Sequence, residues 1–294
     1  MVNKREDFPL ILETQLERLT DEHIDLYLIH ALNGERWKKT KELGILEEAE
    51  RARSEGKIGH IGFSFHDEYE VFSRIIDEYP GWEFCQIQFN LMDVSYQAGE
   101  KGLRKAAGRG IPVVVMEPLK GGLLAQPPAA SVAPLWQEFS TGRDHIDLSL
   151  RYIWNRPEVS TVLSGMSTPE QVRANLESAS RWHTGSVSEE EEELYRRIRE
   201  GYRALKSIDC TGCGYCLPCP QGVQIPRIFE LYNDSYRYGT TDQTSRVYLN
   251  VLEDEQRADN CISCGTCEEA CPQNLPIIEE LQKAHELLTG QKTL

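Results

Sequence analysis

The chain contains no apolar run approaching the ~20 residues needed to cross a bilayer, and its start, MVNKREDFPL, lacks the apolar segment of a signal peptide. Both features lead us to expect a soluble cytoplasmic protein with no membrane association. Positive charge is scarce as well: 32 Lys and Arg stand against 47 Asp and Glu, a formal net charge of -15. A nucleic-acid or anionic-membrane surface is built from clustered Lys and Arg. No basic stripe is present, so nucleic acid is excluded as a partner. A flavin-binding motif is also lacking.

What is present is the composition of an ordinary folded protein, 294 residues with 40% apolar side chains, enough for one large domain and a small one. From about residue 5 to 205, amphipathic helices alternate with short apolar strands. Phe8, Leu12, Leu16 and Leu19 recur at helical spacing, and the strand IDLYLIH follows. A helix near 43 to 55 ends at Gly56 before the strand IGHIGFS. Val71, Phe72, Ile75, Ile76 and Tyr79 mark the next helix, and FCQIQFN the next strand. A helix around 97 to 108, the run IPVVVMEPL, a helix near 145 to 154 and the strand VSTVLSG complete the series. Thr168-Pro169-Glu170 caps and starts the helix that follows. Five strands alternating with helices predict a parallel sheet joined by crossovers, either a βα barrel or an open α/β sheet. The acidic stretch from Ser188 to Lys206 reads as a connector with a solvated face.

Beyond Ser207 the texture changes, and we place a domain boundary near 206, with residues 207–294 forming a second domain. Nine cysteines in an intracellular chain are kept reduced, so eight of them in two short runs read as metal ligands before disulfides. The first run is Cys210-x2-Cys213-x2-Cys216-x2-Cys219-Pro220, and the second is Cys261-x2-Cys264-x2-Cys267-x3-Cys271-Pro272. The second run fits bacterial ferredoxin spacing in full; the first is one residue short before its last cysteine. Two 4Fe-4S clusters are therefore expected. As in two-cluster ferredoxins, Cys271 would join Cys210, Cys213 and Cys216, while Cys219 would join Cys261, Cys264 and Cys267. Zinc is the alternative, although zinc ribbons space their ligands as two separated CxxC pairs. The stretch between the runs looks helical, so the domain resembles an α-helical ferredoxin, and its few large apolar residues suggest folding that depends on the clusters. Cys85, on an apolar strand, reads as a small buried hydrophobe.

At DLYLIH, GKIGHIGFSFHD, CQIQFN, VVVMEPLKGGLL and SGMSTPEQVRANLE the chain resembles the aldo/keto reductase family, in its bacterial branch with a C-terminal ferredoxin-type domain. The resemblance implies an α/β fold of (β/α)8 TIM-barrel type over residues 1–206, with about five of the eight units present, followed by the small α-helical ferredoxin-like domain. It implies an active site at the C-terminal ends of the strands. The family reduces a carbonyl with NAD(P)H, using a Tyr proton donor tuned by Lys and Asp, with a His orienting the carbonyl. His30 matches that catalytic His. The Tyr, Lys and Asp belong to the first three strands of the family barrel and have no match here, and the sequence is expected to be about 80 to 90 residues short of a full barrel.

Cofactor contacts carry over residue by residue. Ser64 and Gln86 match the residues that hold the nicotinamide carboxamide, with Phe65 in place of the usual Asn beside that Ser. Met116 sits where many members stack an aromatic ring on the nicotinamide. Leu119 and Lys120 match the loop reaching the pyrophosphate, and Gly165 and Met166 the phosphate-binding turn. Asn175 matches the adenine-contacting Asn. Gln171 stands where an Arg commonly grips the 2'-phosphate, leaving Arg173 as a substitute. The function that follows is nicotinamide-dependent reduction of a small-molecule aldehyde or ketone. Its competitor is a non-catalytic electron-relay protein whose degenerate barrel carries the clusters. In either case the acidic second domain calls for a redox partner with a basic face.

Overall fold

A computed structural model of the protein describes residue 2 and residues 4–291. Helix α1 (Asp7–Leu19) buries Phe8, Leu12 and Leu16, whereas Leu19 is 60% exposed because Thr20 ends the helix in a left-handed turn. Then come β1 (Ile24–Leu32), α2 (Gly34–Glu42), α3 (Ile45–Ser54), β2 (Ile58–Phe65), α4 (Tyr69–Glu78), β3 (Phe84–Gln88), α5 (Gly99–Gly108) and β4 (Val113–Met116). Helices α6 (Ala133–Gln137) and α7 (His145–Trp154) lead to β5 (Val159–Val162) and α8 (Pro169–Arg181). The sequence reading missed α2, whose GERWKKTKE buries only Trp37 and Thr40. Its start is fixed by Asn33, whose side chain accepts from the Arg36 N–H. Thr168 caps α8 as expected, in a reciprocal capping box with Gln171.

The five strands form one sheet in the order β1-β2-β3-β4-β5, every pair parallel. Burial alternates along the central strands: Cys85 and Ile87 of β3 and Val113 and Val115 of β4 are buried while Gln86, Gln88, Val114 and Met116 between them are only half-buried. Ile61, Phe63 and Phe65 of β2 lie on the buried face, with the Phe72 ring of α4 against Phe63 and Phe65. Gly62 lets the sheet close here, because a Cβ at that position would meet the Phe84 ring at 2.5 Å. The two outer strands are different. β1 and β5 each pair on one side, and Leu26 of β1 is 57% exposed.

The elements group into two compact units, Met1–Lys120 with Asp147–Val187, and Gly121–Ile146 with Ser188–Leu294. The second unit contains α9 (Glu189–Ala204), α10 (Ile225–Tyr238), α11 (Asp242–Asn250), α12 (Thr266–Glu269) and α13 (Ile277–Thr289). Helix α9, expected as a solvated connector, instead buries Tyr195, Ile198 and Tyr202. Tyr195 packs on Phe139 and Trp136 at 4.8 and 6.4 Å between ring centroids, and Arg197 pairs with Glu138. A narrow stripe of large side chains at helical spacing outweighs the charged residues that surround it. The stretch between the cysteine runs is helical as expected. Its core is fuller than the sequence suggested, because α13 adds Ile277, Leu281, Ala284 and Leu288 to Ile225, Ile228, Phe229 and Tyr248.

Candidate active site and cluster-binding loops

In a parallel α/β sheet the ends of the strands that carry chemistry are the C-terminal ones. His30 lies near the end of β1, Ser64 near that of β2, Gln86 on β3 and Met116 at the end of β4. The strand register sets Ser64 beside Gln86. Gln86 Nε2 donates to Met116 Sδ at 3.3 Å, and the buried Ser64 Oγ accepts from the Ala31 N–H at 2.7 Å. The His30 ring is exposed and receives no hydrogen bond among the described residues. One neighbour escaped the sequence reading. His66, one residue past β2, is held below the usual imidazole value by burial and by the charges of His30 and Arg36. Its signal was a polar residue directly after a strand, in the run SFHD.

Lys120 is also placed in an unexpected setting. Its Nζ lies 3.0 Å from Asp93 Oδ1, with the two side chains only 14% and 8% exposed. Asp93 Oδ2 accepts from Gln88 Nε2 at 2.7 Å and from Asn90 Nδ2 at 2.9 Å. The charge that a pyrophosphate contact would use is therefore shared with a buried carboxylate. Leu119 beside it is half-buried. Asn90-x-x-Asp93 was the available signal: Asn90 Oδ1 accepts from the N–H groups of Met92 and Asp93, a local turn that places the carboxylate.

After β5, Gly165 and Met166 are exposed, and a Cβ added to Gly165 would meet nothing within 4 Å. Asn175 Nδ2 donates to Ser164 Oγ at 3.0 Å, tying α8 to this loop. Gln171 is occupied, its Oε1 accepting from the N–H groups of Ser167 and Thr168. Arg173 stays at the surface within 3.8 Å of Glu170.

In the second unit the eight cysteines line two cavities with apolar walls. One is bordered by Cys210, Cys213, Cys216 and Cys271 with Ile225, Phe229 and Ile277. The other is bordered by Cys216 as well, together with Cys219, Cys261, Cys264, Cys267, Val223 and Leu281. Gly212, Gly214 and Gly265 take φ values of +71°, +77° and +81°, which curl each loop between its cysteines. No three Cys, His, Asp or Glu side chains among the described residues converge on a single-ion site. Zinc would need its sulfurs about 2.3 Å from one centre, whereas a cubane spreads four ligands over its corners, and the residues present fit the cubane.

Burial pushes the Cys216 thiol up to about 11, helped by the nearby Cys210, Cys213 and Cys267. Hydrogen bonding to Thr266 holds Cys264 below the usual thiol value. Cys85 is fully buried and pushed up to about 12 by that burial, an inert core thiol.

A family model for the aldo/keto reductase family matches residues 3–192, and one for a 4Fe-4S dicluster domain matches residues 209–275. The chain belongs to the aldo/keto reductase family. Among solved structures it is similar to aldo-keto reductase AKR11C1 from Bacillus halodurans in its holo form, at 22% identity and a TM-score of 0.54, over 67% of this chain and 68% of that one. It is similarly close to the thermostable aldo-keto reductase Tm1743, solved with the inhibitor epalrestat, at 24% identity and a TM-score of 0.53, over 66% and 67% of the two chains. Identities this low establish the shared fold. A curated relative, the acetyl-CoA decarbonylase/synthase complex subunit alpha 1 of Methanosarcina barkeri (strain Fusaro / DSM 804), is 30% identical over 78 residues. That match spans 26% of this chain and 8% of the relative.

Proposed function

We propose that this aldo/keto reductase reduces an aldehyde or ketone with NAD(P)H and carries two 4Fe-4S clusters in residues 207–294. The observation that supports this reading is the row of His30, Ser64, Gln86 and Met116 on four adjacent parallel strands, at the ends where such sheets bind ligands. A bound nicotinamide supplies the hydride. Ser64 and Gln86 would hold its carboxamide and Met116 its ring face. Leu119, Lys120, Gly165 and Met166 would meet the phosphates, Asn175 the adenine, and His30 the carbonyl oxygen. The eight run cysteines would ligate the clusters in the two groups that line the cavities.

Clusters move one electron at a time and nicotinamide moves a hydride, so the two centres exchange nothing directly without a mediator. We assign the clusters to structure or to a partner protein with a basic face. Residues 207–294 hold 6 Lys and Arg against 13 Asp and Glu, a formal -7, and each oxidised cubane adds about -2. The boundary between the two folds falls, in this reading, near 206. The cytoplasm is the compartment that keeps such thiolates reduced, and no helix among the described residues is long and apolar enough to cross a membrane.

The test is anaerobic oxidation of NADH and NADPH with a panel of aldehydes and ketones. It compares this chain with a version extended at its N-terminus by three strand–helix units that carry the family's Asp, Tyr and Lys. Turnover is expected from the extended version, with most of it lost in His30→Ala. Robust turnover by the 294-residue chain would overturn the assignment of the proton donor to those units. An extended version that binds nucleotide yet reduces no carbonyl would leave the electron-relay reading.

A further inference from the structure

His30 sits on a break in β1. The pairing register between β1 and β2 shifts between Ile29 and Leu32, and Ala31 within that shift takes φ +53°. A residue with a Cβ enters the left-handed region at a cost, and a single such residue in a strand makes a bulge that turns its neighbour's side chain out of the alternating pattern. Something must hold the bulge in place. The ring of His30 does not, since no hydrogen bond reaches it among the described residues.

The Ala31 peptide is gripped on both sides instead. Its N–H donates to Ser64 Oγ at 2.7 Å, and its carbonyl accepts from Arg36 Nη1 at 3.0 Å. Beyond it the two loops are stitched together, with the His66 N–H donating to Leu32 O at 2.9 Å and the Gly34 N–H to Asp67 Oδ2 at 2.8 Å. Ser64 is the side-chain partner in this set that lies fully inside, within the buried stretch of β2. An unpaired Ala31 N–H would be buried without a partner, so the hydroxyl decides whether the bulge is worth keeping.

We propose that Ser64 is a positioning residue for His30, acting through the bulge at Ala31. Its oxygen receives the Ala31 N–H, which leaves its own O–H available to a ligand, so the role is additional to any contact with the cofactor. The proposal rests on the reading of His30 as the residue that meets the carbonyl.

The experiment uses the anaerobically prepared full chain and reads geometry rather than turnover. The His30 ring Cε1–Hε1 signal is identified by its disappearance in His30→Gln, and the exchange of the Ala31 amide is followed separately. In Ser64→Ala the amide is expected to exchange about tenfold faster, the effect of losing one buried hydrogen bond, and the His30 signal to shift or broaden. Ala31→Gly alone should leave that signal in place, because glycine takes a positive φ freely. The double variant Ser64→Ala/Ala31→Gly should return it to its original position, a rescue that a direct contact between Ser64 and the cofactor would not produce. An unshifted signal with unaltered exchange in Ser64→Ala overturns the proposal, and so does a double variant that fails to restore it. If Ser64→Ala does not fold, the double variant decides alone: a native His30 signal supports the clamp and an altered one refutes it. None of these readouts depends on carbonyl reduction, so failure of the clamp and failure of the proposed activity are seen separately.

Discussion

Asp93 carries a charge inside the first unit, and the balance of forces on it is legible from its neighbours. Burial would raise its carboxyl, but Lys120 and the hydrogen bonds from Asn90 and Gln88 outweigh burial and hold it below the ordinary value. A depressed folded-state pKa contributes stability that is complete above the unfolded value of about 3.9 and is lost as pH falls through the depressed one. Asp93→Asn keeps the shape and leaves Lys120 without its buried carboxylate, at an expected cost of about 3 kcal/mol at pH 7. Urea unfolding across pH should show that loss together with a flatter acid limb. Unchanged stability at pH 7 would mean that the pair is energetically neutral. The local turn Asn90-x-x-Asp93 marks the carboxylate but not the lysine it meets, because the two partners lie 27 residues apart.

At the level of elements, helix α9 shows how three large side chains outrank a charged majority. Tyr195→Ala removes a fully buried ring from the cluster with Phe139 and Trp136 and is expected to cost about 3 to 5 kcal/mol. Glu189→Gln on the exposed side of the same helix should change stability by less than about 0.5 kcal/mol. Comparable denaturation midpoints for the two variants would restore the connector reading. Helix α8 is the opposite case. It follows the edge strand β5 and buries only Ser178, leaving Leu176 62% exposed. The strand before it, β5, is at the edge of the sheet and pairs only with β4 among the described residues.

For the whole molecule the measurable quantity is metal content. Anaerobically prepared protein is expected to hold about eight irons and eight sulfides per chain, since two cubanes take four thiolates each. Cys85→Ser should leave that number unchanged, because Cys85 is buried in the sheet. Cys271→Ser should remove the cluster of the cavity it shares with Cys210, Cys213 and Cys216 and leave about four irons in the other. One zinc per run would refute the assignment, and loss of all iron in Cys271→Ser would show that the two sites form only together. Loading should slow as pH falls, because half-buried thiols such as Cys216 must lose their protons before iron binds.

Five strands, most of the helices between them and the two cysteine runs could be read from the sequence by itself, because periodicity and ligand spacing are properties of neighbouring residues. The same locality explains the cap at Thr168 and the burial of Cys85 on an apolar strand. The ferredoxin spacing suggested how the runs would share their last cysteines; Cys271 lines one cavity with Cys210, Cys213 and Cys216, and Cys219 lines the other with Cys261, Cys264, Cys267 and again Cys216. Tertiary structure alone decided that Lys120 faces Asp93, that Ser64 supports the bulge at Ala31 from 33 residues away, and that α9 joins the second unit. Each of these is a contact between segments distant in the chain, where the energy comes from removing charge and rings from water together, and no local pattern records which segments will meet.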